Sequence, residues 1–309
     1  MRIRVLGAAA GGGFPQWNCG CENCQLARVG STRVSARTED SLAVSANGES
    51  WFLVNASPSI HAQIAGFEGL WPSRSLGTPR RSPIAGIILT NGDLDHCLGL
   101  FSLRESTPLV VYATERVFQT LVDRNAIART LQRFDGQLTH RRLELGVETP
   151  LTLQSGAASG LSVVARATEG KLPIHLDGAV PPDPEDSVGL WLRESGNAHV
   201  AAYVSAAASL RGLRPALDDA SLVFFDGTFW RDDELIALGL GTSHARDMAH
   251  LPIGGEGGSL AALADLRSAR KVFIHINNTN PILDAASPER RAVEHAGWEV
   301  ATDGLEVTL

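Results

Sequence analysis

Residues 84–89, Ile-Ala-Gly-Ile-Ile-Leu, form a short apolar run bounded by Pro83 and Gly92. Runs of this length, rich in β-branched residues and flanked by turn formers, predict buried strands. Similar runs at 110–112, 188–192, 199–204, 222–230 and 271–281 predict further strands, the last ending in a polar cluster. Residues 2–7 alternate arginine with aliphatics and predict an edge or hairpin strand. Strands at 41–46 and 51–55 flank Asn47-Gly48, a hairpin turn signal. Segments 143–153 and 161–167 predict an antiparallel pair. Residues 298–309 close the chain with two strands around Asp303-Gly304.

Helices are predicted over 60–64, 211–217, 231–238, 260–266 and 288–296, with one or two more within 115–131. Ser57 is the expected cap of the first, with Pro58 in its first turn. Residues 7–13 are glycine-rich but are followed by no Lys-Ser or Lys-Thr pair, so close backbone packing beneath a site is expected rather than a phosphate cradle. Residues 70–83 read as a surface loop, and 171–186, with four prolines, as a long loop that could serve as a lid. A Gly/His-rich loop over 239–258 carries His244 and His250. Strands come first and then alternate with helices, twice over, which implies two β-rich halves covered by helices.

At 309 residues the chain makes one large domain or two small ones, and its 44% hydrophobic content suffices for a sizeable core. A net charge of -7 argues against general nucleic-acid binding, which needs a basic face. No apolar run approaches the ~18 residues of a membrane span. The first residues enter a strand pattern with no separate apolar leader, so a cytoplasmic protein is expected.

Three apolar strands run into ionisable residues: Asp95-His96, Asp226 and His275. That pattern places one crevice at the strand ends. In the loop Thr90-Asn91-Gly92-Asp93-Leu94-Asp95-His96, the alternating Asn91, Asp93 and Asp95 can point the same way in an extended turn, and His96 adds an imidazole. This is the donor chemistry of a metal site. Cys19, Cys21 and Cys24 form a C-x-C-x-x-C run that brings three thiolates within reach of one structural Zn(II). Spacing does not fix the fourth ligand, and His275 and Asn278 are both candidates. Cys97 reads as a small buried hydrophobe. His61, His175 and His244 have weaker claims to function, and His140, His199 and His295 read as surface positions. Arg80-Arg81, Arg141-Arg142 and Arg290-Arg291 read as solvated pairs, any one of which could bind a carboxylate.

The Thr90-to-His96 loop lies where metallo-β-lactamase-fold hydrolases carry H-x-H-x-D-H. Phe225-Asp226-Gly227-Thr228-Phe229, His250 and His275 resemble later motifs of the tRNase Z and phosphodiesterase branch, as does the cysteine knuckle. Gly12 to Cys19, Val54 to Pro58 and His275-Ile276-Asn277-Asn278-Thr279-Asn280-Pro281 together resemble the pyrroloquinoline quinone (PQQ) biosynthesis protein B family. The resemblance runs the length of the chain. It implies an α+β fold, an αββα sandwich of two mixed sheets with outer helices, in a single domain over 1–309 with a knuckle at 19–24. It implies hydroxylation, dependent on O2 and on Fe(II) (or Zn(II)), of the tyrosine-derived ring of a Glu-Tyr diamino-acid precursor. A small-molecule or short-peptide precursor is the implied partner, with other PQQ-biosynthesis proteins as possible associates. Asn91 and Asp93 stand where the hydrolases have imidazoles, and no acid lies near Tyr203-Val204-Ser205-Ala206, where those enzymes bridge two zincs. What remains for an active-site metal is His96, His275 and a carboxylate, Asp95 or Asp93. Asp226 and His250 match the acid and histidine of a proton relay. A metal-dependent hydrolase and a soluble carrier in PQQ transport are the alternatives.

Overall fold

The computed structural model describes residues 1–73, 80–105, 107–122, 125–176, 178, 180–266 and 270–309. Parts of the two predicted loops, 74–79 and residues 177 and 179, lie outside the described residues.

Fourteen strands form two seven-stranded sheets among these residues. The first sheet runs β14 (Glu306–Thr308), β1 (Arg2–Gly7), β2 (Ser41–Ser45), β3 (Trp51–Val54), β4 (Ile84–Ile88), β5 (Leu109–Ala113), β6 (Leu138–Arg142). The second runs β13 (Trp298–Val300), β12 (Arg270–Ile274), β11 (Leu222–Asp226), β10 (Val200–Val204), β9 (Val188–Glu194), β8 (Ala158–Ala167), β7 (Glu148–Thr152). Each sheet is mixed. Strands β3 to β6 pair in parallel, as do β10 to β13, and the remaining pairs are antiparallel.

The continuous apolar runs arise because the strands are buried on both faces. In β11, Leu222 and Phe224 enter a core shared with Val5, Leu42, Val54 and Ile88 of the other sheet. Val223 and Phe225, one residue out of phase, pack outward with Leu213, Leu217 and Val293. The first sheet does the same: Leu42 and Val44 face inward, while Ala43 and Leu53 pack against Ile60, Leu100 and Val117. The helices behind those contacts are α2 (Ile60–Ala65), α4 (Gly99–Ser102) and α5 (Glu115–Val122) on one side, and α6 (Arg214–Asp218) and α9 (Pro288–His295) on the other. The result is the expected αββα sandwich. None of the described helices is long and apolar enough to cross a membrane.

Several expectations need correction. Strand β1 is interior, because the chain's last strand adds outside it. Strand β6 was not legible; it is a polar edge strand, half exposed, with no buried face to impose alternation. Residues 143–147 connect β6 to β7 rather than lying in a strand. Two predicted helices shorten to Glu234–Ala237 (α7) and Ser259–Ala262 (α8). Ser59, not Ser57, occupies the N-cap position of α2, and Ser57 Oγ bonds Gln63 instead.

Candidate metal centre

The C-terminal ends of β4, β11 and β12 deliver the ionisable residues to one place. Asp95 and His96 lie on α3 (Leu94–Cys97), a single turn that follows β4. His275 directly follows β12 in a left-handed conformation, φ 57°. A non-glycine residue there carries backbone strain that the surrounding fold must hold. It turns the ring toward the opposite sheet, where His275 Nε2 lies 3.2 Å from Asp95 Oδ2. His96 Nε2 lies 3.8 Å from the same oxygen. One ligand atom from each of these three residues falls within 4.8 Å of the others. Gly11 passes close by, since a Cβ there would meet Asp95 Oδ2 at 3.3 Å. The glycine-rich segment therefore packs beneath the site, as its composition predicts.

The ring orientations suit a metal. His96 Nδ1 is 2.9 Å from Asn91 Oδ1 and 3.3 Å from Thr90 Oγ1. With Nδ1–H donated to Asn91, Nε2 carries the lone pair, and it is buried with no hydrogen-bond partner among the described residues. His275 Nδ1 is 2.9 Å from Thr228 Oγ1, which leaves its Nε2 for the site as well. Burial holds the His96 imidazole down at about 4, despite the pull of Asp95. Burial alone would raise the Asp95 carboxyl, but the charge of His96 and the hydrogen bond from His275 hold it well below the usual range. Burial opposes charge on His275 too, yet Asp95 raises it to about 9. A bound cation would take the place of that proton. Two imidazoles and one carboxylate, aimed at a common point with an orphaned buried nitrogen among them, fit a divalent metal.

A second cluster, Asp226, His250 and His275, is built differently. Thr228 Oγ1 sits at its centre, 2.6 Å from Asp226 Oδ1, 3.0 Å from His250 Nδ1 and 2.9 Å from His275 Nδ1. The hydroxyl fills the space an ion would need. His250 Nδ1 also lies 2.8 Å from Asp226 Oδ2. Asp226 is fully buried and accepts the backbone N–H groups of Ala207 and Thr228. This arrangement orients an imidazole, with its Nε2 left for proton transfer.

Asp93 is not part of either cluster. It begins α3 and lines the cavity in front of the ligands. Asn91, at the other position where hydrolases carry imidazole, holds His96 rather than facing a metal. His175 and His244 are not among the residues lining the cavity. His140 is only partly exposed, because its ring stacks on Phe118 at 4.0 Å and hydrogen-bonds the Ala113 carbonyl.

The cavity has a volume of about 350 Å³. Its walls include Leu94, Phe229 and Met248, with Lys171 and Asn277 at polar positions. Behind it runs a buried chain that the sequence did not reveal. Tyr203 Oη donates to Asp40 Oδ2 at 2.5 Å and accepts from Asn55 Nδ2 at 3.1 Å. Asn55 Oδ1 accepts from Thr90 Oγ1, which reaches His96. Each member comes from a different strand end, so no local spacing announces the chain.

At the knuckle, Asn278 Nδ2 lies 3.1, 3.5 and 3.5 Å from the sulfurs of Cys19, Cys21 and Cys24. The two ends of an amide are interchangeable in shape, so a flip would present Oδ1 to an ion held by the three thiolates. His275 is committed to the other site, which leaves Asn278 as the candidate fourth ligand.

Residues 50–276 match the beta-lactamase superfamily domain. The coenzyme PQQ synthesis protein B of Bradyrhizobium diazoefficiens is 43% identical, with both chains covered in full. The crystal structure of Zn(2+)-bound PqqB from Methylobacterium extorquens superposes with a TM-score of 0.91 at 39% identity, again over the whole of both chains. A diphosphatase of the PhnP family shares the fold at 19% identity, with a TM-score of 0.66 over 100% of this chain and 97% of its own.

Proposed function

This chain belongs to the coenzyme PQQ synthesis protein B family of the beta-lactamase superfamily, and from that premise we propose that it hydroxylates the tyrosine-derived ring of a crosslinked Glu-Tyr diamino-acid precursor, using Fe(II), O2 and an external two-electron reductant, one oxygen atom entering the ring and the other leaving as water. The observation that carries this reading is the ligand set. His96 Nε2, His275 Nε2 and an Asp95 oxygen converge without further protein donors from Asn91 or Asp93. Two imidazoles and one carboxylate with open positions suit non-haem Fe(II), which when bound supplies O2 activation. The missing imidazoles and bridging acid disfavour a two-zinc centre of the hydrolase kind.

The chain's own residues have definable tasks. Asn91 and Thr228 fix the tautomers of His96 and His275 by engaging Nδ1. Asp226 holds His250 by its Nδ1, so that Nε2 can take a proton from the phenol and return it. Leu94, Phe229 and Met248 give the ring an apolar seat and exclude water. The deciding experiment supplies Fe(II)-loaded protein with the diamino acid and a two-electron reductant such as ascorbate, and follows O2 uptake and product mass. Stoichiometric O2 consumption with gain of oxygen on the substrate is expected; no uptake and unchanged substrate would sink the reading.

A second reading is hydrolysis at a single zinc, favoured by the beta-lactamase superfamily domain over residues 50–276. Its test is turnover of a chromogenic phosphodiester by the zinc-loaded protein, abolished in His96→Ala.

A further inference from the structure

The ligands and the proton relay leave two charged groups of the cavity without a task. Asp93 and Lys171 both line it. Asp93 starts α3, yet its carboxylate makes no capping bond. It stands outside the ligand cluster, and among the described residues its side chain has no hydrogen-bond or ion-pair partner. Lys171 follows β8 on the loop over the cavity and is likewise without a partner among the described residues. It is the only lysine or arginine among the described residues that line the cavity. The other lining carboxylate, Asp95, is taken by His96 and His275. Burial and then the charge of Asp95 raise the Asp93 carboxyl, Lys171 opposes them, and the two form no ion pair.

Opposite charges that share a cavity and do not pair are complementary to a ligand that carries both signs. An α-amino-acid head group is such a ligand, with an ammonium for a carboxylate and a carboxylate for an ammonium. The apolar wall of Leu94, Phe229 and Met248 belongs to the same cavity and suits an aromatic side chain. We infer that Asp93 and Lys171 clamp the free ammonium and carboxylate of an aromatic amino acid, so that the site accepts an unblocked amino acid and rejects the same residue inside a peptide. The inference rests on the reading of the site as one for a diamino-acid precursor. It gives Asp93 the role of a substrate-binding residue in place of a metal ligand.

The test is calorimetric titration of the Zn(II)-loaded protein, in which no oxidation competes with binding. The ligands are the crosslinked diamino acid, the form acetylated on the α-amino group of its tyrosine-derived half and the form amidated on the α-carboxyl group of that half. Blocking either group is expected to weaken binding about ten- to a hundredfold. Lys171→Gln should weaken binding of the parent compound to a similar extent and no longer discriminate against the amidated form. Asp93→Asn should do the same for the acetylated form. Lys171→Arg and Asp93→Glu should keep most of the affinity, and all four variants should keep metal at Asp95, His96 and His275. Equal binding of free and blocked compounds, wild-type affinity in Lys171→Gln and Asp93→Asn, or loss of that metal in Asp93→Asn would each overturn the clamp. If binding follows the expected pattern but the Fe(II) protein leaves the substrate unoxidised, the clamp stands and the proposed hydroxylation falls.

Discussion

Asn91 Oδ1 lies 2.9 Å from Nδ1 of His96, and the Nε2 of the same ring is left buried without a hydrogen-bond partner among the described residues. The residue that replaces a hydrolase imidazole has become the hydrogen-bond acceptor that orients the remaining one. Removing such a partner typically costs about 10–100-fold in metal affinity. Asn91→Ala should therefore weaken active-site metal binding by that order in a chelator competition, while Asn91→Asp, which keeps the acceptor, should lose less. Unchanged affinity in Asn91→Ala would remove this role.

The proposed relay makes a separate prediction, because Asp226 and His250 fall outside the group formed by Asp95, His96 and His275. His250→Ala should lower kcat by about 10²–10⁴-fold. Bound metal, measured by elemental analysis, should stay at the wild-type ratio. Parallel loss of metal and activity would instead make His250 a ligand.

Cys24 is fully buried in the core behind the second sheet, where Phe225, Phe273 and Trp298 also pack. Zinc at the knuckle would fasten the segment around α1 (Glu22–Arg28) to the Asn278 loop and add to folding stability. Cys24→Ser is expected to lose one equivalent of zinc and to lower Tm by at least ~3 °C, with metal at Asp95, His96 and His275 retained. A variant that keeps both equivalents would disprove the knuckle assignment.

The Asp40–Tyr203 pair predicts a pH dependence of stability. Burial pushes the Asp40 carboxyl up to about 7 from 3.8, with the charge of His275 and the Tyr203 hydrogen bond opposing. The folded state thus holds a proton that the unfolded chain releases. Its contribution is fully present below 3.8 and is lost as pH rises through about 7. Each pH unit in that window changes stability by up to ~1.4 kcal/mol. Denaturant titrations of the metal-free protein from pH 4 to 8 should show a shallower decline for Asp40→Asn than for wild type. Parallel profiles would refute the assignment. Tyr203→Phe should be destabilised by about 1–3 kcal/mol, because it strips a hydrogen bond from both Asp40 and Asn55.

The sequence by itself determined most of the strands, because two-sided burial writes itself as unbroken apolar runs such as Leu222-Val223-Phe224-Phe225. It also determined the knuckle cysteines, whose spacing is local, and the ionisable strand ends Asp95-His96, Asp226 and His275. Chemistry that depends on distant partners was not legible. Asp93 and Asp95 are equivalent in the sequence. One turn of α3 sends Asp95 to the imidazoles and leaves Asp93 on the cavity wall. Asp40, Asn55, Thr90 and Tyr203 form a chain only because two separate sheets pack face to face. Tertiary structure alone decided which carboxylate joins the two imidazoles, that Asn91 serves His96, and that Thr228 fills the centre of the second cluster. Each depends on a side-chain direction set by the packing of segments far apart in the chain.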